Sequence, residues 1–300
     1  MLTDYFLVRN LVKYSKGMCQ HFRGVHDSLR IHQNASRFLL HGLSRGRRRG
    51  GRNKRTLDAL LFHHVKRGHL LRVRRGLFVS VPVGEDPENC PVDRFLLAGK
   101  MVEGGVLAYH TALEFHGEAY SLWNRSFVLS DRTPSKMLFR GDEFFSLPIP
   151  GPLRRKGEEV LGVETRERLG LPLHVTTLER TLVDVLDRPE LSGGWEEVWR
   201  SLESIRTLDL DLVVRYTLAL ENATTTAKVG FFLERHRESL MVDEKHLSPL
   251  REGKPRTRHY MDRKRRSGGR FVREWNLIVP EEVIHRSWEE NYGSVTGNSP

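Results

Sequence analysis

The sequence predicts a mixed α/β protein of two domains, and three observations lead to this prediction. The chain has 300 residues, which is more than a single compact domain usually needs. Its amphipathic segments alternate between helical and strand-like spacing. One segment, PVGEDPENCP at 82–91, is rich in turn-forming residues and has no periodicity, so it predicts a linker between the two domains.

Composition restricts the class of protein. With 38% hydrophobic residues, the chain is able to bury a core. No apolar run approaches the roughly 18 residues that a membrane-spanning helix needs, and the N-terminus lacks the pattern of a secretory signal. The two cysteines, Cys19 and Cys90, do not make a disulfide framework. These observations predict a soluble, cytoplasmic protein with no membrane partner.

The positive charge is concentrated in two stretches of the chain. The formal net charge is +11, and the segment 44–76 alone carries +11 because it holds twelve Lys or Arg residues and one Asp. A second stretch, 251–270, has nine positive and two acidic residues, which gives +7. Charge placed in this way predicts a dedicated region for binding a polyanion such as nucleic acid.

The N-terminal region is predicted to contain a helix that follows a basic loop. Residues 1–43 predict a poorly defined helical segment that ends in a short helix, ASRFLLHGL. Residues 44–53, SRGRRRGGRN, predict a flexible loop. A helix is expected over Thr56–Arg67, with Thr56 as its N-cap and Gly68 just past its C-terminus. Its apolar stripe consists of Leu57, Leu60, Leu61 and Val65, and its opposite face carries Ala59, Phe62, His63 and Lys66.

Two strand-like runs, HLLRV and LFVSV, follow this helix and are joined by Arg74-Arg75-Gly76, which predicts a β-hairpin. Its alternating residues Leu71, Val73, Leu77 and Val79 are expected to hold it against the helix. A helical unit followed by a β-ribbon is the order of a winged helix-turn-helix, here over 44–81, which reads double-stranded DNA with its recognition helix and wing. Arginine suits the wing tip because its guanidinium stays charged and can donate two hydrogen bonds to phosphate oxygens. The candidate DNA-binding residues are therefore Arg52, Lys54, Arg55, Thr56, His63, Lys66, Arg67, Arg72, Arg74 and Arg75.

The second domain is predicted over 92–290 as an α/β unit, followed by a disordered tail at 291–300. In the segment TTLERTLVDVLDRP, Thr176 and Glu179 have the spacing of a capping box, and Pro189 ends the helix. Its acidic residues predict a polar helix face rather than an acid–base pair. The segment RFVREWNLIVP at 270–280 predicts one late strand.

Enzymatic and metal-binding roles have weak support in the sequence. Three matches to the [DE]-x-K element of metal-dependent nucleases begin at Asp243, Glu252 and Asp262. All three occur within one basic region, and none lies on an apolar strand, which indicates chance matches. The histidines lack the paired spacing of a closed zinc site. We therefore predict no catalytic residue, metal or cofactor, and keep as alternatives a metal-dependent nuclease with a winged-helix targeting domain and an RNA-binding protein.

Four segments occurring in order carry a resemblance to a known family: VKRGHLLRVRRGLF, VLAYHTALEFHG, VTTLERTLVDVLDRP and KVGFFLE. Together they resemble the AbiEi-type antitoxin and transcriptional-regulator family of type IV toxin–antitoxin systems, over about residues 54–290. The resemblance implies an N-terminal winged helix-turn-helix domain followed by an α/β antitoxin domain.

What the resemblance implies for function is a repressor that binds promoter repeats of its own operon. It also implies counteraction of a neighbouring nucleotidyltransferase-like toxin without a stable complex. The resemblance implies a DNA-binding role for Lys66, Arg67, Arg72, Arg74 and Arg75. It assigns antitoxicity to no individual residue. A second basic patch, formed by Arg263, Lys264, Arg265 and Arg266, is a candidate surface for attracting RNA or a nucleotide.

Overall fold

The computed structural model is mixed α/β and describes residues 39–41, 54–262, 264, 268–286 and 288. The chain divides into two compact units. The first extends to Gly105 and also takes in Thr165–Leu173, and the second comprises Val106–Glu164 and the chain from His174 onward. No helix among the described residues is long and apolar enough to cross a lipid bilayer.

The first unit consists of a small sheet and two helices. Its elements in chain order are β1 (Leu39–His41), α1 (Lys54–Lys66), β2 (Leu70–Arg74), β3 (Leu77–Ser80) and α2 (Arg94–Lys100). The predicted helix and hairpin are both confirmed. The strands form an antiparallel sheet in the order β1-β3-β2. The short helix predicted for ASRFLLHGL is wrong, because its LLH residues pair with β3, which offers a second edge of backbone hydrogen-bonding groups.

Helix α1 begins earlier than predicted and ends where predicted. It starts at Lys54, so Thr56 lies inside the first turn and is not the N-cap; lysine and arginine are good helix formers that extend it backwards. At the other end, Gly68 has a φ of 75°. The N–H of Gly68 donates to the carbonyl of Val65 (3.0 Å), and that of His69 donates to His64 (3.0 Å). This is the Schellman arrangement, which confirms the prediction for Gly68.

The contacts between α1 and the ribbon differ from those predicted. Leu61, Leu70 and Phe78 form a buried cluster, and Val65 packs against it. The alternating set Leu71, Val73, Leu77 and Val79 was expected here, but it occupies the other face of the ribbon, because successive side chains of a strand point to opposite faces. The predicted helix stripe is confirmed at Leu61 and Val65.

The segment predicted as a linker at 82–91 is built of turns. Asp86 accepts hydrogen bonds from the N–H of Glu88 (3.1 Å) and the side-chain amide of Asn89 (2.6 Å), and Cys90 is buried. The following helix α2 is capped by Asp93, which accepts from the N–H of Leu96 (2.9 Å). The first unit therefore continues past the predicted boundary, because α2 buries four consecutive residues, Leu96, Leu97, Ala98 and Gly99.

The second unit contains eight helices and two sheets among the described residues. Its helices are α3 (His110–His116), α4 (Gly151–Lys156), α5 (Leu178–Asp187), α6 (Trp195–Glu203), α7 (Leu210–Ala219), α8 (Ala223–Arg235), α9 (Glu244–Gly253) and α10 (Glu281–His285). Its strands are β4 (Val106–Leu107), β5 (Arg125–Ser130), β6 (Ser135–Phe139), β7 (Asp142–Pro148), β8 (Val163–Arg168), β9 (Leu171–Thr176), β10 (His259–Tyr260), β11 (Arg270–Val272) and β12 (Leu277–Val279). The sheets have the orders β6-β7-β5-β4-β9-β8 and β10-β12-β11. The tip of the β8–β9 hairpin is the part of the chain that belongs to the first unit.

Two predictions in the second unit need correction. Helix α5 is capped by Thr177, which accepts from the N–H of Arg180, and not by Thr176, which ends β9 and hydrogen-bonds through its hydroxyl to Thr181 (2.7 Å). The late strand predicted over 270–280 is two antiparallel strands, β11 and β12, because the chain turns through a 3₁₀ segment and Asn276, which has a φ of 49°.

The acidic helix α5 is also not the polar face that was predicted. Arg180 and Asp184 are almost completely buried, and Tyr216 of α7 donates a hydrogen bond to Asp184 (2.6 Å). The guanidinium of Arg180 donates to the carbonyls of Glu159 (2.9 Å) and Leu161 (2.8 Å). A buried charge needs partners of this kind, so the polar residues of α5 form part of the core.

Candidate nucleic-acid interface

One side of α1 is exposed over its whole C-terminal half. His63, Lys66 and Arg67 are exposed, and Phe62 has 70% of its surface accessible to solvent. The opposite side carries Leu61 and Val65, which pack on the ribbon. We refer to Phe62, His63, Lys66 and Arg67 as the α1 face. The amphipathic pattern of the helix dictates this division, because the exposed and packed residues fall on different sides at 3.6 residues per turn.

The ribbon presents arginines next to its turn. Arg72 and Arg75 are exposed, and Arg74 is partly buried at the end of β2. The turn itself is Arg75-Gly76, and Gly76 has a φ of 80°, a backbone conformation that suits glycine. The strand register shifts between Arg72 and Arg74, as in a β-bulge. The three predicted wing arginines are therefore all placed within the hairpin, with Arg75 nearest its tip.

The register of the hairpin decides which way Arg72 faces. Arg72 lies opposite Phe78, and residues directly opposite in an antiparallel pair share a face of the sheet. Phe78 and Leu70 are the ribbon residues that pack against α1. Arg72 is therefore an exposed cation on the side of the ribbon that carries the helix, which places basic residues of both elements on one side of the unit.

The electrostatic environment favours an anionic partner. Burial lowers the pKa of His64, and the neighbouring rings of His69 and His63 and the charge of Arg67 lower it further. His64 and His69 approach within 3.4 Å through their Nδ1 atoms. Burial also lowers the pKa of Arg74, although it remains far above neutrality, so its charge is retained.

The remaining predicted residues are described only in part. Lys54, Arg55 and Thr56 form the first turn of α1, and Arg52 lies outside the described residues. In the second basic patch, Lys264 is exposed and its N–H donates to Asp262 (2.8 Å). Its other members, Arg263, Arg265 and Arg266, lie outside the described residues, as do the cysteine and histidines at 19–32.

The structure adds Phe62 to the predicted set. Its position opposite the apolar stripe was evident from the sequence, but a single phenylalanine on that face carries no signal of function by itself. An exposed aromatic ring beside Lys66 is a suitable contact for the methyl group of thymine in a major groove. Sequence reasoning selected only the charged and polar residues of this surface.

The family-like segments of the second unit mainly build its core. His110 is fully buried, stacks on Trp123 with a ring separation of 4.3 Å and lies 3.4 Å from Glu114. Lys228 is also buried, and its ammonium donates to the carbonyls at the end of α5. Gly230 leaves room for Trp275, because a Cβ at this glycine would lie 2.1 Å from the ring.

The two complete [DE]-x-K matches of the described chain lie at the ends of α9. Asp243 accepts in a capping box with His246, and Glu244 forms ion pairs with Arg237 and Arg251. In the part of the chain that the structure describes, no group of three or more His, Cys, Asp or Glu side chains is arranged to hold a metal ion.

Comparison with known proteins adds no assignment. No family model matches the chain, and no curated protein matches it.

Proposed function

We propose that this protein is a DNA-binding antitoxin of the AbiEi type, which represses its own operon and counteracts a neighbouring nucleotidyltransferase-like toxin. In this proposal α1 is the recognition helix and the β2–β3 ribbon is the wing of a winged helix-turn-helix. Double-stranded DNA containing promoter repeats is the partner of the first unit. The second unit acts against the toxin without forming a stable complex with it.

The observation that carries the DNA-binding proposal is the placement of Arg72. It belongs to the ribbon face that packs on α1, and it is exposed together with Lys66 at the end of the helix and Arg67 just after it. A helix flanked by a basic ribbon on one side is suited to placing side chains in a groove while arginines contact the adjoining phosphates. The sheet order β1-β3-β2 further supports it, because a strand before the recognition helix pairs with the wing.

The antitoxin half of the proposal is supported by the resemblance of four ordered segments. Three of these segments lie in the second unit, and their polar residues Arg180, Asp184 and Lys228 are buried within it. Buried, paired polar residues restrict substitution, which accounts for recognisable motifs that lie away from the surface.

The salt dependence of DNA binding tests the wing. Neutralising a phosphate releases counterions, so the logarithm of affinity falls linearly with the logarithm of salt concentration. We expect Arg72→Ala and Arg75→Ala each to weaken binding to all sequences and to reduce that slope by about one unit. Affinity is measured by fluorescence anisotropy with the protein's own promoter DNA and with random DNA at several salt concentrations.

Arg154→Ala is the matched control, because Arg154 is an exposed arginine of α4 in the second unit. It removes the same charge from the protein as a whole, and the slope should stay that of the parent. A slope unchanged in both wing variants would contradict the proposed phosphate contacts. Tighter binding to structured RNA than to promoter DNA would favour the RNA-binding alternative.

A further inference from the structure

The second unit contains a cleft whose lining combines arginines with apolar side chains. The cleft has a volume of about 310 Å³ and is lined by two arginines and four apolar residues: Phe231, Arg235, Arg270, Phe271, Val272 and Ile284. Small-molecule sites have volumes of roughly 300–1,000 Å³, so this cleft fits a ligand at the small end of that range.

Three elements build the cleft. Phe231 and Arg235 are four residues apart on α8 and therefore share one face of the helix. Arg270 and Phe271 begin β11, which is an edge strand of the sheet β10-β12-β11. Ile284 comes from α10. Phe231 is 4% exposed and belongs to the floor, whereas Phe271 is 36% exposed.

The two lining arginines are not neutralised by the surrounding residues. Neither Arg235 nor Arg270 forms an ion pair with any residue that the structure describes, and the guanidinium of Arg235 only donates weakly to the carbonyl of Ile284 (3.5 Å). Glu203, the acidic residue whose charge acts on Arg235, is already ion-paired to Arg286 and lies within hydrogen-bonding distance of His236 (3.3 Å). Burial lowers the pKa of Arg235, and the nearby charge of Arg286 lowers it further.

Aromatic rings accompany these cations. The guanidinium of Arg235 lies 5.8 Å from the ring centre of Phe231, and Arg258 lies 4.6 Å from that of Phe271. Arginine and phenylalanine in this combination bind nucleotides, since the base stacks on an aromatic ring and the phosphate pairs with a guanidinium. A simple anion would use the arginines but would gain nothing from the apolar floor.

We propose that this cleft binds one nucleotide, with its base on Phe271 and its phosphates on Arg235 and Arg270. The nucleotide is either free in solution or an exposed nucleotide of an RNA strand, since both carry the same base and phosphate. The site lies in the second unit and does not rest on the proposed DNA contacts of α1 and the ribbon.

Binding of a fluorescent ATP derivative to the full-length protein tests the proposal. We expect saturable binding, and we expect Arg235→Ala, Arg270→Ala and Phe271→Ala each to weaken it by at least fivefold. Phe271→Leu keeps an apolar side chain of similar size but removes the ring, and it should weaken binding as much as Phe271→Ala. Arg154→Ala is the control for loss of one positive charge and should bind like the parent. Unchanged far-ultraviolet circular dichroism verifies that each variant is folded.

Competition with unlabelled compounds identifies the ligand. Displacement by ATP, GTP or UTP at lower concentration than by a ten-nucleotide RNA supports a free nucleotide, and the reverse order supports an RNA strand. Displacement by inorganic phosphate as effective as by ATP would overturn the nucleotide assignment, as would absence of saturable binding by the parent. Promoter binding by the Arg235→Ala and Arg270→Ala variants should equal that of the parent. Nucleotide binding by Arg75→Ala should likewise equal that of the parent. A failure of the nucleotide proposal can therefore be distinguished from a failure of the DNA-binding proposal.

Discussion

At the scale of single residues, Asp184 is a buried carboxyl group of the second unit whose pKa is raised. It is 2% exposed and is contacted by Arg180 and Tyr216. Burial raises its pKa to about 6, in spite of the opposing effects of Arg180 and the Tyr216 hydroxyl. Desolvation therefore outweighs the ion pair, which is the expected balance for a carboxylate that has lost nearly all contact with water.

This pKa predicts a dependence of stability on pH. The unfolded carboxyl has a pKa of about 3.9, so between pH 4 and 6 the folded state holds the proton more firmly than the unfolded state. The contribution of Asp184 to the free energy of unfolding should therefore decrease by about 2 kcal/mol as pH rises from 4 to 6. Above about pH 7 the carboxyl is ionised in both states, and the contribution stays constant.

Asp184→Asn removes this titration while keeping the shape of the side chain. We expect the free energy of unfolding of the parent, minus that of Asp184→Asn, to fall across pH 4 to 6 in urea denaturation. Subtracting the variant cancels the effect of every other titrating group that the two proteins share. A difference independent of pH would show that Asp184 keeps its ordinary acidity.

At the scale of elements, α1 is the helix on which sequence specificity would depend. His63 and Lys66 are exposed on the α1 face, and Phe62 is exposed between them and Asp58. Removing a contact with a base edge costs about 1–3 kcal/mol on the specific site and little on random DNA. We therefore expect His63→Ala, Lys66→Ala and Phe62→Ala to lower the preference for the promoter repeat, measured as a ratio of affinities.

Stability measurements separate this effect from damage to the fold. Because 70% of the Phe62 surface is exposed, Phe62→Ala should leave the unfolding transition nearly unchanged. Leu61→Ala is the contrasting variant, since Leu61 is buried in the cluster with Leu70 and Phe78, and it should destabilise the protein by about 2–5 kcal/mol. Specific and random DNA bound equally well by the parent would contradict the assignment of α1 as the recognition helix.

The sequence predicted well those elements whose apolar residues recur with a clear helical or strand period. Helix α1 and the ribbon are both confirmed. Strand β1 was missed because LLH is compatible with a helix by itself and becomes a strand only through pairing with β3. The proposed nucleotide cleft could not be predicted from the sequence for a similar reason, since Phe231 and Arg270 are brought together only by the folded chain.

At the scale of the whole molecule, the two units assign the proposed functions to different parts of the chain. The expected boundary at 82–91 places α2 with the second domain, whereas α2 belongs to the first unit. A fragment that starts at Val106 lacks Leu96 and Leu97, which a fragment starting at Val92 would expose, and leaves the Thr165–Leu173 hairpin without its partners in the first unit.

We expect the Val106 fragment to fold, because it retains all eight helices described for the second unit and both of its sheets. It should lose promoter binding, keep nucleotide binding and, if antitoxicity belongs to the second unit, protect cells that express the neighbouring toxin. Thermal unfolding followed by circular dichroism, and growth on co-expression, are the measurements. A fragment that unfolds cooperatively but fails to rescue growth would contradict the division of roles.

The return of Thr165–Leu173 to the first unit has a consequence for how the protein is made. This hairpin tip supplies Arg168, which pairs with Asp93 at 2.7 Å and stacks on Phe95, and Leu173, which lies against Gly99. During synthesis, the first unit therefore lacks these partners until the 68 residues from Val106 to Leu173 have also been translated. At roughly 5–20 residues per second, this is a delay of about 3 to 14 s. The most basic part of the nascent chain therefore remains incompletely packed while the ribosome is still translating the middle of the protein.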